Sequence, residues 1–449
     1  MRMFYKCSSI VIDVGIVGLF WFAALAFGGS EVWTKGLIPI IALLLFAARI
    51  MLDCWLGQIR IKADWLYLVM ILFLALVAIQ ALSWRNELPP ADGGIPHTVE
   101  RYSTLTCLLL AVSYTAIVIA IHMGFRSRDA LRKLMIGILA LGFFEAVYGL
   151  IQYLGDYDYI WTYHKKAYLT IATGTLINRN HYALLLNIAI CVGMGYVYYR
   201  SQRLLGDKQL SLRNIMTTPG FAKLVWLAAL LVIMGLAVVF SMSRMGIAAM
   251  LCSVGVMIVV ARAMRAGKPG LKLGALLLIA IIGLALYTGI DPILMRYENI
   301  SKEIASENDR IYIWVDAWKM VQKNIVFGTG LGTFQWTFPA YESASPDIQA
   351  KYAHNDYLQA VAEVGVVGLV LVLCGLVLIF RAAVKNVRNS ADPLINGIGL
   401  AVLGAWTAVV LQEVTDFGMY IPAVALLFSV VVGLNLHASM MRNEVVNSL

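Results

Sequence analysis

The sequence predicts an all-α polytopic membrane protein with about twelve transmembrane helices, and three observations predict it. Hydrophobic residues make up 61% of the 449 and charged residues only 14%, more apolar surface than one water-soluble core can enclose. That apolar content is gathered into repeated runs of roughly 17 to 25 residues, the length a helix needs to cross a hydrocarbon layer ~30 Å thick. The lysines and arginines, finally, concentrate between alternate runs, as retention of basic loops on one side of a membrane requires.

The runs cover 9–27, 36–56, 66–83, 105–122, 133–154, 181–199, 224–240, 245–262, 273–290, 356–380, 396–412 and 420–437. The first follows Arg2 and Lys6 and contains Ala24-Leu25-Ala26. Its apolar stretch is long for a signal peptide, so it is expected to remain as an uncleaved helix. With the N-terminus inside, the inner segments carry most of the 35 basic residues, among them Arg128, Arg132 and Lys133, Arg200 and Arg203, Arg262, and Arg381, Lys385 and Arg388. Both termini are then expected in the cytoplasm of a bacterial cell, with the protein in the inner membrane and its working residues facing the periplasm.

Four segments follow: helices 1 to 9 over 1–290, a periplasmic loop over 291–355, helices 10 to 12 over 356–437, and a short cytoplasmic tail over 438–449. The net charge of +9 is explained by topological bias, so no nucleic-acid partner is implied. All six cysteines, Cys7, Cys54, Cys107, Cys191, Cys252 and Cys374, lie within or beside apolar runs. Neither disulfides nor a thiolate metal site is expected.

The long loop is large enough to fold over the membrane surface. Ile311, Trp314, Trp318 and Val321 recur at helical spacing, which predicts an amphipathic helix over 301–323. The glycines of GTGLGTF (Gly328, Gly330, Gly332) lack Rossmann or Walker spacing and read as a sharp turn rather than a phosphate cradle. A second loop helix is expected to start at Ser345-Pro346-Asp347. Two further outer segments, 84–104 and 155–180, are more polar than a connector needs.

Ionisable residues inside the runs are costly and come first as functional candidates. They are Asp13, the Arg49 and Asp53 pair four residues apart, Glu145 and Glu363. A proton-coupled transporter would use such carboxylates; packing against a polar partner inside the bundle is the other reading. Asp156 and Asp158 form a D-x-D, a spacing that binds metal in nucleotide-sugar chemistry, but nucleotide sugars are absent from the periplasm. Membrane headgroups are the simpler partner for the neighbouring His164, Lys165 and Lys166.

The outer face gives the stronger pattern. Arg244 lies in SMSRMG, a tight turn between the seventh and eighth runs, Arg310 opens the loop helix in NDRIYIW, and His354 stands at the outer end of the tenth run. Taken singly, an arginine snorkels to headgroups and a histidine caps a helix. Together they suit a lipid diphosphate: guanidinium forks bind its oxygens bidentately, fixed cations stabilise it as a leaving group, and histidine takes a proton from an attacking sugar hydroxyl. A helix N-terminus disfavours the imidazolium, while Asp356 opposes that effect.

At these residues the sequence resembles the O-antigen ligase and polymerase superfamily, most closely its lipopolysaccharide O-antigen ligases. The resemblance rests on GTLINRNHYALLL at 174–186, FSMSRMG at 240–246, NDRIYIWVDAW and FGTGLGTF in the long loop, and AHNDYLQAVAEVGVVG at 353–368. It implies a glycosyltransferase of the broad GT-C type with a periplasmic site, working without metal or other cofactor. Such an enzyme transfers a glycan from undecaprenyl diphosphate to an acceptor, lipid A-core for a ligase and another lipid-linked repeat for a polymerase. By motif, Arg244 and Arg310 would engage the diphosphate and His354 would act as base. Arg179, Asn180, His181 and Tyr357 are carried over as substrate-binding candidates.

With no glycosyl nucleophile evident, direct attack would invert the anomeric centre. The short tail leads us to expect no pilin-glycosylating relative, and size and layout favour a ligase over a polymerase. A lipid-linked glycan transporter, with Glu145 and Glu363 on its path, is the alternative from another class.

Overall fold

The computed structural model describes residues 2–55, 57, 63–83, 95–125, 127–205, 220–264, 300–343 and 350–447. Among the described residues the chain is all-α apart from one small hairpin, Tyr159–Ile160 with Tyr163–His164. The long helices are α1 (Arg2–Leu25), α2 (Val32–Trp55), α3 (Trp65–Leu82), α4 (Arg101–Gly124), α5 (Arg128–Leu154) and α6 (Arg179–Leu205). Then come α7 (Phe221–Phe240), α8 (Arg244–Met264), α9 (Ile300–Lys323), α10 (Asp356–Arg388), α11 (Pro393–Gln412) and α12 (Pro422–Asn447). Among the described residues 11 of these, all but α9, are long and apolar enough to cross a membrane. They coincide with eleven of the twelve runs read from the sequence. The ninth run at 273–290, Asp291, the segment 84–94 and the helix start at Ser345-Pro346-Asp347 lie outside the described residues.

Local chemistry sets the helix starts. Asp64, Ser127, Asn355 and Asp392 each accept a hydrogen bond from a first-turn amide, and Glu100 accepts two. These bonds satisfy N–H groups that a helix leaves unpaired. α6, α11 and α12 form the centre and are buried over most of their length, whereas α1, α2, α3 and α10 expose apolar flanks. α6 and α11 cross where Gly195 faces Gly397: a Cβ on Gly195 would stand 2.2 Å from the Gly397 carbonyl oxygen. Only glycine permits this approach.

Two inner-end residues read separately from the sequence form one pair. Arg49 of α2 reaches α1, where it bonds Asp13 at 2.5 Å and donates to Ser9 at 3.0 Å.

The loop helix is present, and two residues of the predicted stripe pack: Val321 is buried and Trp314 donates to the Ala353 carbonyl. Ile313, Ala317, Met320 and Val321 pack with Phe334, Phe338, Val361 and Ala362. Ile311 and Trp318, placed on the packing face by spacing, are about half exposed, together with Tyr312 and Val315. The sequence pattern holds two apolar stripes on one helix, and spacing does not say which one meets the bundle.

α10 is broken near its start. Gly365 has φ 67° and ψ −175°, a conformation closed to side chains. The freed backbone groups pair with the turn after α9: Val366 N–H donates to the Ile325 carbonyl at 2.8 Å, and Thr329 and Gly330 N–H donate to Ala362 and Glu363 carbonyls at 3.1 and 2.8 Å. This pairing seams the loop to the membrane helix that follows His354.

Candidate active site

His354 sits just before α10, with its backbone at φ 51°, so its side chain leaves the chain at a sharp bend. Asn355, the next residue, caps the helix by accepting from Leu358 N–H at 3.0 Å. The imidazole edge meets the face of Phe417 at 4.8 Å, and its buried Nδ1 has no hydrogen-bond partner. The approach to His354 is fixed from two sides. Trp314 of α9 donates to the Ala353 carbonyl at 2.9 Å, and Ala353 N–H donates to Gln359 at 2.9 Å. Arg310 lies one helical turn before Trp314 on the same face, which brings its guanidinium to His354.

Burial, and then the positive charge of Arg310, hold the His354 pKa down to about 4, against the opposing pull of Asp416. The ring is therefore neutral at pH 7, with a lone pair available. The expected helix-terminus effect is not the chief cause, and the opposing carboxylate is Asp416 rather than Asp356.

Asp416 is a site residue that sequence reasoning missed. It lies in the loop between α11 and α12, 3.6 Å from His181 Nε2, and is almost fully buried. Burial disfavours its charge, but His181 and His354 outweigh that and lower its pKa. Both histidines set their edges against the Phe417 ring, His181 at 4.6 Å, and Tyr352 stacks on it at 4.1 Å. Close by, burial, Asp356 and Asp416 push the Glu413 carboxyl well above its usual range. Two acids in EVTDFGMY were the available signal, but nothing in their spacing announces burial.

The other predicted residues are placed as follows. Arg244 begins α8 after a tight turn capped by Ser241 and Ser243. Its helix packs on α6 where a Gly246 Cβ would meet Ala183, and Asn187 donates to the Gly246 carbonyl at 2.8 Å. Arg244 and His181 thus stand at the same end of neighbouring helices. The Arg179 guanidinium lies over the Tyr168 ring at 5.3 Å. The Asn180 carbonyl accepts from Gln412 at 2.6 Å, tying α6 to α11. The Tyr357 hydroxyl donates to the Val410 carbonyl at 2.9 Å. The structure therefore gathers His354, Arg310, His181 and Asp416, and uses Asn180 and Tyr357 for bracing.

A cavity of about 840 Å³ adjoins this cluster. His181, Tyr352 and Phe417 line it and separate it from His354. Val32, Tyr102 and Leu109 line its other side and are exposed on the flank of the bundle, and Lys35 and Lys351 supply positive charge. An amphiphile with an apolar tail and an anionic group fits this lining.

Both intramembrane glutamates are braces. Glu145 accepts from Thr175 N–H and Oγ1 at 2.8 and 2.6 Å. Glu363 accepts from Gly332 N–H at 2.7 Å, Phe334 N–H at 3.0 Å, the Tyr420 hydroxyl at 2.7 Å and Gln359 at 3.1 Å. The GTGLGTF turn is thus a turn, closed over a carboxylate of the protein itself. Replacing Glu363 with Ala leaves two buried N–H donors unpaired, at ~1–3 kcal/mol each. The expected result is a lower unfolding temperature for purified Glu363→Ala, with Glu363→Gln in between; wild-type stability in both would remove the bracing role.

Of the D-x-D, Asp158 is likewise spent on its own loop, while Asp156 is exposed. Asp158 accepts from Thr170 N–H at 2.8 Å, and the Lys165 ammonium, turned inward, donates to the Tyr168 and Ile171 carbonyls at 3.1 and 3.0 Å.

These features define a multi-pass membrane protein whose polar site lies at one end of its helices, beside a cavity reached from the flank. The family model described as O-antigen ligase matches residues 229–373, from within α7 to within α10, and so takes in Arg244, Arg310, His354 and Glu363. That match bears out the resemblance to the O-antigen ligase superfamily read from the sequence. No curated protein matches the chain.

Proposed function

We propose that this protein transfers O-antigen glycan from undecaprenyl diphosphate to lipid A-core, on the periplasmic face of the bacterial inner membrane. The observation that carries the reading is a half-buried histidine whose pKa is held low by burial and by the adjacent Arg310, within the O-antigen ligase match. Arg310, with Arg244 at the same end of the bundle, binds the diphosphate and stabilises the charge that grows on it as the glycosyl bond breaks. His354 accepts the proton of the attacking sugar hydroxyl. Attack opposite the leaving group inverts the anomeric centre. Asp416 stabilises the imidazolium as it forms, and the cavity beside His181 takes the apolar part of a lipid-borne substrate.

Bracing roles for Glu145 and Glu363 support a transferase over a transporter that would move protons along them. A polymerase would use the same donor chemistry with a second lipid-linked repeat as acceptor. The test is purified protein supplied with an undecaprenyl diphosphate-linked glycan and, separately, lipid A-core or a second lipid-linked repeat. Glycan on lipid A-core is expected. Growth on the lipid carrier instead would make the protein a polymerase, and no transfer to either acceptor would overturn the enzyme reading.

A further inference from the structure

The far end of α10 carries a second feature that the transfer reaction does not use. Arg381, Lys385 and Arg388 fall at i, i+4 and i+7, on one face of the helix, and all three are exposed. Three other basic residues at that end are neutralised within the protein: Arg128 pairs with Asp392 at 2.5 Å, and Arg132 and Lys133 pair with Asp129 at 2.7 and 3.1 Å. Among the described residues no carboxylate pairs with the α10 triplet. Basic bias alone explains lysines and arginines at this end, but not the gathering of three exposed ones on a single helix face.

The triplet lines a groove of about 490 Å³ with Phe380 and Val384. Arg381 also closes a second groove, of about 510 Å³, between α3 and α10. Its walls include Leu68, Leu72, Leu373, Cys374 and Val377, on the apolar flank of the bundle. The two helices are in contact at Gly375, where a Cβ would lie at ordinary van der Waals distance, 3.8 Å, from Leu66 and Val69. From the break at Gly365, Arg381 is 16 residues along α10, about 24 Å at ~1.5 Å per residue. A hydrocarbon layer is ~30 Å thick, so a span counted from that break ends near Lys385, about 30 Å along; Arg381 reaches the boundary through the length of its side chain, and Arg388 enters the headgroup layer. The apolar groove and the basic groove therefore form one channel, with its charge at headgroup depth.

We propose that this channel binds an anionic phospholipid, its acyl chain between α3 and α10 and its phosphate on Arg381, Lys385 and Arg388. The occupant is a membrane lipid with net negative charge, since a zwitterionic headgroup would place its ammonium against three clustered cations. Each such cation contributes on the order of tenfold or less in affinity, so three together give roughly a hundredfold preference for the anionic lipid.

The test is native mass spectrometry of the full-length protein in detergent, titrated with phosphatidylglycerol or phosphatidylethanolamine of equal chain length. Wild type is expected to hold one phosphatidylglycerol about a hundredfold more tightly than phosphatidylethanolamine. The Arg381→Gln/Lys385→Gln/Arg388→Gln variant should lose that preference, whereas Arg128→Gln/Lys133→Gln, whose cations are already paired, should keep it. Cys374→Trp leaves the charges and fills the apolar groove, and should weaken both lipids. Equal binding of the two lipids by wild type, or undiminished phosphatidylglycerol binding by the triple variant, overturns the headgroup assignment. Undiminished binding by Cys374→Trp overturns the acyl-chain assignment. Thermal unfolding of each variant without added lipid should match wild type, because all the substituted side chains are exposed.

Discussion

His354→Ala is expected to lower the rate of glycan transfer by about 10²–10⁴-fold, the usual contribution of a positioned general base, while leaving donor binding close to wild type. Single-turnover transfer and a donor-binding titration on the same preparation measure the two effects separately. Loss of both would make His354 a binding or folding residue. A pH profile sharpens the expectation. A base works when deprotonated, so activity rises with pH through its pKa, which burial and Arg310 hold to about 4 in the free protein. A bound diphosphate offsets the charge of Arg310 and favours the imidazolium. The acid limb of kcat, which reports the bound complex, should then lie above that of kcat/KM, which reports the free protein. Coincident limbs would remove the electrical link between donor and base.

Arg310→Lys is expected to cost nearly as much as Arg310→Ala, roughly 10²-fold or more in kcat/KM. Loss of one aligned transition-state donor typically has an effect of this size. Lysine keeps the charge but cannot place two parallel N–H donors on one phosphate. The pair of variants also separates the two roles of this residue. Alanine removes the charge that depresses His354, so the acid limb of kcat/KM should move up in Arg310→Ala and stay near wild type in Arg310→Lys. Full activity in the lysine variant would exclude bidentate clamping by Arg310.

The same depressed pKa has a consequence for folding. An unfolded chain presents a histidine of pKa near 6.5, and the folded one sits at about 4. Burial of His354 is thus without protonation cost above pH 6.5, and its contribution to stability is lost as the pH falls from there towards 4.

The membrane helices were legible because one physical variable, the length of an apolar run, decides them almost alone. The candidate site was legible only in part. Arg310 and His354 stood out as ionisable residues at the ends of elements, and the structure brings them together. Asp416 was hidden: a carboxylate in a short loop reads as solvated until the fold buries it against His181. Glu363 was visible as a charge in an apolar run, but spacing could not say that its partners are amides some 30 residues earlier, in the GTGLGTF turn. For the loop helix the period was right, and of the predicted stripe Trp314 and Val321 pack while Ile311 and Trp318 stay half exposed, since two apolar stripes compete and only tertiary packing chooses between them.

The carboxylate closed inside the glycine turn has one more implication. Several inward-pointing amides on a tight, glycine-rich turn form an anion receptor by themselves. Lying near the site proposed here to bind a diphosphate, such a receptor would compete for that substrate and hold it away from the arginines. Glu363 is tethered to the same fold and so is present at an effective concentration that a passing lipid cannot match. By filling its own decoy, the protein leaves the guanidinium groups as the most attractive place for the substrate's charge to settle.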